Sequence, residues 1–384
     1  MSKKILLWVV IGIIAIGAII LASLYCMRFE TVPTVDFSSL KFKEIKDDFD
    51  LVLEAIPYKG TVAFTFDKDT RTNTKARRNY IGIYNVETGK MDTMKITDEF
   101  LDHSFINIDD NWILHIMPDS QPYECIAINS ETNKIEYLVP KDFLGNYVIV
   151  RETGLLKDDA FVVMTVYEKR GTFKDSTVMS VSLGDRVIKI NLKTKSMETI
   201  FDGIAEKKGV FSFEEIKDGV AFLTWSQAGQ EGKGRSFYVY KNGVLTRINS
   251  HFIQNAEYFK GCKDDDTIIY SIDNLKEVYA HISNLDRNAT AFKNLRQIDC
   301  CSKDYFVAVE VGTTMDRVTN KPVGSYSKIH ILNRKTNKRS IIELNCIVSD
   351  ISIYGDELCF VKLSEEAGIF RDSIIYLNLK ENSF

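Results

Sequence analysis

The chain is poor in the residues that most often announce chemistry. It has five histidines in 384 residues, His103, His115, His251, His281 and His330, with no metal-ligand spacing among them. Its seven cysteines, Cys26, Cys125, Cys262, Cys300, Cys301, Cys346 and Cys359, include no C-x-x-C pair. Most sit in or beside predicted strands, where a free thiol behaves as a small apolar residue. Cys300 and Cys301 read as two ordinary thiols on opposite faces of a strand, with a vicinal disulfide as the alternative. There is no G-x-S-x-G elbow, and the glycines from Gly229 to Gly234 lack phosphate-loop spacing. Asp264-Asp-Asp266 lacks the remaining ligand positions of a calcium loop and reads as a hairpin turn. Catalytic residues, metal ligands and cofactors are therefore not predicted. Only six prolines and no long polar tract, with 45% apolar and 27% charged residues, exclude a disordered chain. A net charge of −4 is too small to imply a polyanionic partner by itself.

What is present is repetition. Asn85-Val-Glu-Thr-Gly89 follows the alternating stretch Ile81-Gly-Ile-Tyr84, and related turns begin at Asn129, Asn191, Asn284, Asn333 and Asn378, each after an apolar strand pattern. A shortened copy, Lys241-Asn-Gly243, follows Phe237-Tyr-Val-Tyr240 and carries the strongest two-residue hairpin signal. Asn at the first position can bond the backbone two residues on, and Gly or Asn at the fifth position suits a left-handed backbone. Lys195 is the exception at that fifth position. The typical step of roughly 45 residues is the period of propeller blades.

Each repeat holds four predicted strands, a to d, with tight a–b and c–d turns. The seventh lacks room for its d strand before Phe384, whereas 38–45 reads as a strand without a partner. Placing 38–45 as the outer strand of the last blade, beside 374–377, closes the ring and removes exposed sheet edges. The hairpins are similar to those of YVTN-type and quinoprotein-like bacterial propellers, in which an apolar strand meets N/D-x-x-T-G/N-K. This resemblance implies an all-β fold, a seven-bladed β-propeller of four-stranded antiparallel blades over 38–384. The regularly placed tryptophans of quinoprotein repeats and the Trp-Asp signature of WD-type repeats are absent, so no functional residue carries over.

At the amino end, Lys3 and Lys4 precede an uncharged run, 5–26, that would span about 33 Å as a helix, enough to cross a bilayer core. It reads as an uncleaved anchor, with 1–4 as a short cytoplasmic end, 27–37 as a tether and the propeller outside the cytoplasm. The b–c connections, 67–79, 169–185, 227–235, 312–327 and 364–372, are long and share one face of the ring. Loops elaborated on one face of a rigid scaffold usually carry function. The first is basic, with Lys68, Arg71, Lys75, Arg77 and Arg78, and it suits an envelope protein with an acidic patch or an anionic polymer. Without interleaved aromatics it does not suit nucleic acid. The expected function is a membrane-anchored extracytoplasmic binding or scaffolding module. Alternatives are an envelope enzyme with its site in the central channel, disfavoured because no carboxylate or histidine recurs at the inner strands, and a ligand sensor acting through a membrane partner.

Overall fold

The computed structural model describes residues 32–47, 49, 51–68, 78–97, 106–117, 122–168, 181–226, 235–250, 253, 255–272, 276–292, 295, 297–315, 322–366 and 369–384. Among these residues the strands assemble into seven sheets whose main strands follow one another along the chain as antiparallel meanders, and in the third Asp142–Phe143 is added beside the first strand. The first blade, from Leu51–Tyr58 through Thr61–Lys68 and Arg78–Asn85 to Met91–Thr97, shows the plan. The first strands of neighbouring blades touch around the centre, so the sheets form a ring with strand a innermost. The fold is a seven-bladed β-propeller.

Burial follows from that arrangement. The b strands are covered on both faces by adjoining blades and are apolar almost throughout, as at Val62, Ala63 and Phe64, at Ala160 to Met164, and at Leu358 to Val361. The core is accordingly divided into apolar layers between blades, such as the one that packs Leu114 and Cys125 of the second blade against Val148, Val150 and Val162 of the third. Outer strands alternate or lie open, as in Val244–Ile248.

The recurring turn is built as the sequence suggests. The Asn85 side-chain oxygen accepts the Thr88 N–H at 2.8 Å and the Thr88 hydroxyl at 2.9 Å. Asn129 with Thr132 and Asn191 with Thr194 repeat both bonds, and Asn333 repeats the backbone one with Thr336. The fifth residue is left-handed at Gly89 (φ 69°), Asn133 (φ 54°) and Asn337 (φ 56°), and also at Lys195 (φ 61°), where the turn overrides side-chain preference.

Four features depart from the expected pattern. The fifth blade has only three strands, Phe259–Gly261, Thr267–Ile272 and Lys276–His281, with a single bridge between Tyr279 and Ala289 in the fourth place. Its turn has Arg287 where four of the copies have threonine, and the Tyr270 hydroxyl holds the segment by donating to the Leu285 carbonyl at 2.6 Å. Thr34–Asp36, within the expected tether, is a strand, parallel to the outer strand Arg339–Leu344 of the sixth blade. Two of the b–c connections are largely strand. Tyr305–Met315 and Pro322–Asn333 form a long hairpin, as do Glu357–Glu366 and Ile369–Asn378. Finally, Cys301 is disulfide-bonded to Cys262, 39 residues away, and not to Cys300. Cys262 follows the inner strand of the fifth blade and Cys301 lies on that of the sixth, a proximity that exists only in the ring.

Phe42–Ile45 pairs antiparallel with Ile369–Asn378, from Phe42 opposite Leu377 to Ile45 opposite Ile374, and is the outer strand of the seventh blade. Residues 5–26 lie outside the described residues. Among the described ones no helix is long and apolar enough to cross a membrane.

Candidate functional site: the central channel

The inner strands carry a recurring irregularity. Four of them have a β-bulge, between Val52 and Glu54, Val150 and Glu152, Val210 and Ser212, and Val348 and Asp350. In each case the residue before the bulge turns its N–H toward the preceding blade. Val52 donates to Asp372 at 2.7 Å, Val150 to Glu124 at 2.9 Å, Val210 to Asp185 at 2.6 Å and Val348 to the Ser327 hydroxyl at 3.0 Å. Ile298 donates in the same way to Glu277. The acceptors lie on a c strand or immediately before one and are buried, so each forms a polar latch between two blades.

The residue after the bulge faces the axis. A cavity of about 740 Å³ lies there, with Glu54, Glu152, Glu214, Glu215, Tyr258 and Lys260 in its wall. A second hollow of about 350 Å³ adds Asp299 and Asp350 and shares Lys260 with the first. Several of these carboxylates also bind a backbone N–H of the neighbouring inner strand. Glu54 accepts from Ile106 at 2.9 Å, Asp350 from Ala55 at 3.0 Å and Glu215 from Leu155 at 2.5 Å. Gly261 donates to Glu214 at 3.4 Å, and a side chain at Gly261 would meet the Glu215 carbonyl at 2.1 Å, so the close approach of the fourth and fifth blades requires glycine there.

The electrostatics are those of acids held out of water. Burial pushes Glu54 up to about 8, against the Ile106 N–H that favours its ionised form, and the Asp350 charge adds to the rise. Burial pushes Glu214 up to about 8, against its bond from Gly261 and with the Glu152 charge adding to the rise. Glu152 rises to about 7 by burial, tempered by Arg151. Asp299 and Asp350 are raised for the same first reason. Groups with such values can exchange protons near neutral pH.

Side chains bridge one end of the channel. The Lys263 ammonium, at the tight-turn end of the fifth blade, reaches Glu215 at 2.7 Å and the Ile108 carbonyl at 2.6 Å. Asp264 beside it accepts the Lys303 N–H at 2.8 Å and the Gly355 N–H at 3.1 Å. Tyr58 donates to Asp109, and its ring lies 4.5 Å from that of Tyr354. These contacts tie six of the seven blades across the a–b turns. The other end, where strands leave through the long b–c connections, has Arg151, Phe211 and Tyr258 at the wall, with Arg235 over the Phe211 ring.

The absence of a carboxylate recurrence expected from the sequence is therefore corrected. A bulge shifts the alternation by one residue, so a period of two assigns Glu54, Glu152 and Asp350 to the wrong face. Of the basic residues singled out in the first blade, Lys68 ends Thr61–Lys68 and stands opposite Arg78 in the sheet register. The Lys68 ammonium pairs with Asp47 at 3.2 Å and lies over the rings of Phe66 and Tyr80. Arg71, Lys75 and Arg77 lie outside the described residues. Among the described residues no three histidines, cysteines or carboxylates are grouped to hold a metal ion.

No known protein family matches the sequence, and no curated protein matches it. Solved structures similar to it include an acylaminoacyl peptidase of Pyrococcus horikoshii, at 11% identity over 86% of this chain and 52% of that one, with a TM-score of 0.46. The chain thus spans about half the length of that peptidase. The β-propeller domain of the Trilobed protease from Pyrococcus furiosus is similar at 10% identity over 87% and 96% of the two chains, with a TM-score of 0.49. The polysaccharide lyase Uly1 is similar at 10% identity over 92% and 93%, with a TM-score of 0.48.

Proposed function

We propose that the protein is a membrane-anchored, extracytoplasmic propeller that binds or scaffolds a partner through the face carrying its b–c connections. The observation that carries this reading is the asymmetry of the channel. Lys263, Asp264 and Tyr58 bridge it at the tight turns, which supports an approach to its polar cavity from the side of the long connections. The uncharged run 5–26 supports the anchor, and Lys3 and Lys4 support an inside amino end. The Cys262–Cys301 disulfide supports an oxidising compartment. Lys68, Arg71, Lys75, Arg77 and Arg78 are the proposed contact for an acidic envelope protein or anionic polymer.

A second reading, an envelope enzyme, is favoured by one observation: carboxylates from several blades converge on the channel with values near neutrality. The test is capture of partners from envelope extracts by the detergent-solubilised full chain. Neutralising the five basic residues is expected to release the captured partner, and unchanged capture sinks that contact. Mass analysis of the partner separates the two readings. An altered mass that Glu152→Gln abolishes supports catalysis, and an unaltered mass supports binding alone.

A further inference from the structure

The way the chain reaches the propeller fixes which face looks at a membrane. Outer strands run from the tight c–d turn toward the face of the long connections, and Thr34–Asp36 runs parallel to one of them, with Thr34 opposite Ile341 and Asp36 opposite Glu343. The Pro33 carbonyl accepts the Ile341 N–H at 3.0 Å, and Val32 lies in a hollow with Arg339, at the foot of that strand. The chain therefore arrives from the tight-turn side. Lys41, just before the outer strand of the seventh blade, is held at the same level, bonded through its N–H and carbonyl to the Asn382 side chain in the last turn.

Five residues, 27–31, separate Val32 from the apolar run 5–26. Fully extended, they reach at most about 20 Å. A strand of six residues is itself about 20 Å tall. Turning the long-connection face to the bilayer would require the tether to climb the whole blade and leave nothing for the gap. The tight-turn face also carries lysines with exposed side chains. Lys59, Lys90, Lys134, Lys193 and Lys335 are 57%, 72%, 70%, 70% and 66% exposed. Their partners, Asp110, Asp92, Glu136, Asp158 and Asp304, hold them in surface pairs of the kind that contribute little and exchange readily.

We propose that the tight-turn face rests on the anionic headgroups of the bilayer that holds residues 5–26, and that the channel mouth and long connections point away from it. This rests on the anchor reading above. Juxtamembrane lysines are drawn to anionic lipid surfaces within a Debye length. The first-blade basic connection, on the far face, is thereby directed at a partner away from the lipid.

The experiment uses the full chain in nanodiscs containing anionic lipid and a paramagnetic headgroup quencher. A fluorophore is placed at Val244→Cys, beside the tight turn of the fourth blade, or at Val181→Cys, at the opposite end of the third. Both native side chains are 61% exposed. Quenching several-fold stronger at 244 than at 181 is expected, and equal or reversed quenching overturns the orientation. Changing Lys90, Lys134 and Lys335 together to Glu is expected to lower quenching at 244 at least twofold, and no change overturns the headgroup contact. Carbonate extraction run in parallel keeps the two ideas apart. Release of the chain refutes the anchor, whereas a retained chain with reversed quenching refutes the orientation alone.

Discussion

Asp372, in the third strand of the last blade, accepts the backbone N–H of Val52, in the first strand of the first blade, at 2.7 Å. The ring is thus joined by the same buried bond that links the second blade to the third and the third to the fourth. Loss of the acceptor leaves a buried N–H without its partner, which costs about 1–3 kcal/mol. Asp372→Ala is expected to lower the urea midpoint accordingly, and Asp372→Asn, which keeps an acceptor oxygen, to lower it less. Equal effects would show that charge and not the bond matters.

The channel acids predict an inverted pH response. Glu54 has an ordinary value of 4.5 and is raised in the fold to about 8. Its protonated form is therefore favoured by folding. Its contribution is full below about 4.5 and is lost as pH rises through about 8. Glu54→Gln keeps an acceptor for the Ile106 N–H and removes the charge. The variant is expected to melt a few degrees higher than the parent at pH 8.5 and close to it at pH 5, by differential scanning calorimetry.

Reduction tests the bridge between the fifth and sixth blades. A disulfide of this kind typically contributes about 2–4 kcal/mol. The parent should lose thermal stability in reductant, whereas Cys262→Ala/Cys301→Ala should be insensitive to it. A parent that melts identically with and without reductant would show that the bond contributes nothing.

The turns offer a matched pair. Asn333 accepts from Lys335 and Thr336 in the sixth blade, and Asn333→Ala should cost about 1 kcal/mol in chemical unfolding. Asn284, whose turn lacks the threonine, should tolerate alanine within about 0.5 kcal/mol.

These residues also mark how far the fold can be read from sequence. The turns were legible because their chemistry is local. Asn85, Thr88 and Gly89 satisfy one another within five residues, and Lys195 follows because the turn dictates its backbone. The fifth blade was misjudged after Asn284, whose turn has the expected sequence pattern but is followed only by the single bridge from Tyr279 to Ala289. The channel was hidden by its bulges, which break the alternation on which assignment of faces depends. The Cys262–Cys301 pair depends on two inner strands being neighbours, which no local pattern encodes. The latches did leave a trace. Three of the acceptors, Asp185, Ser327 and Asp372, stand six residues before a hairpin asparagine, and a polar residue recurring at one place in an apolar strand points to a buried partner.

The pairing of Phe42–Ile45 with Ile374 to Leu377 also sets a timetable. Roughly 330 residues must be synthesised after Phe42–Ile45 before its partner exists, about 15–65 s at ordinary elongation rates. During that interval the early strand waits with its edge unpaired. Assembly can proceed blade by blade from the first, but closure waits for the seventh blade. A nascent chain arrested before residue 374 should therefore remain an open arc, sensitive to protease at 42–45.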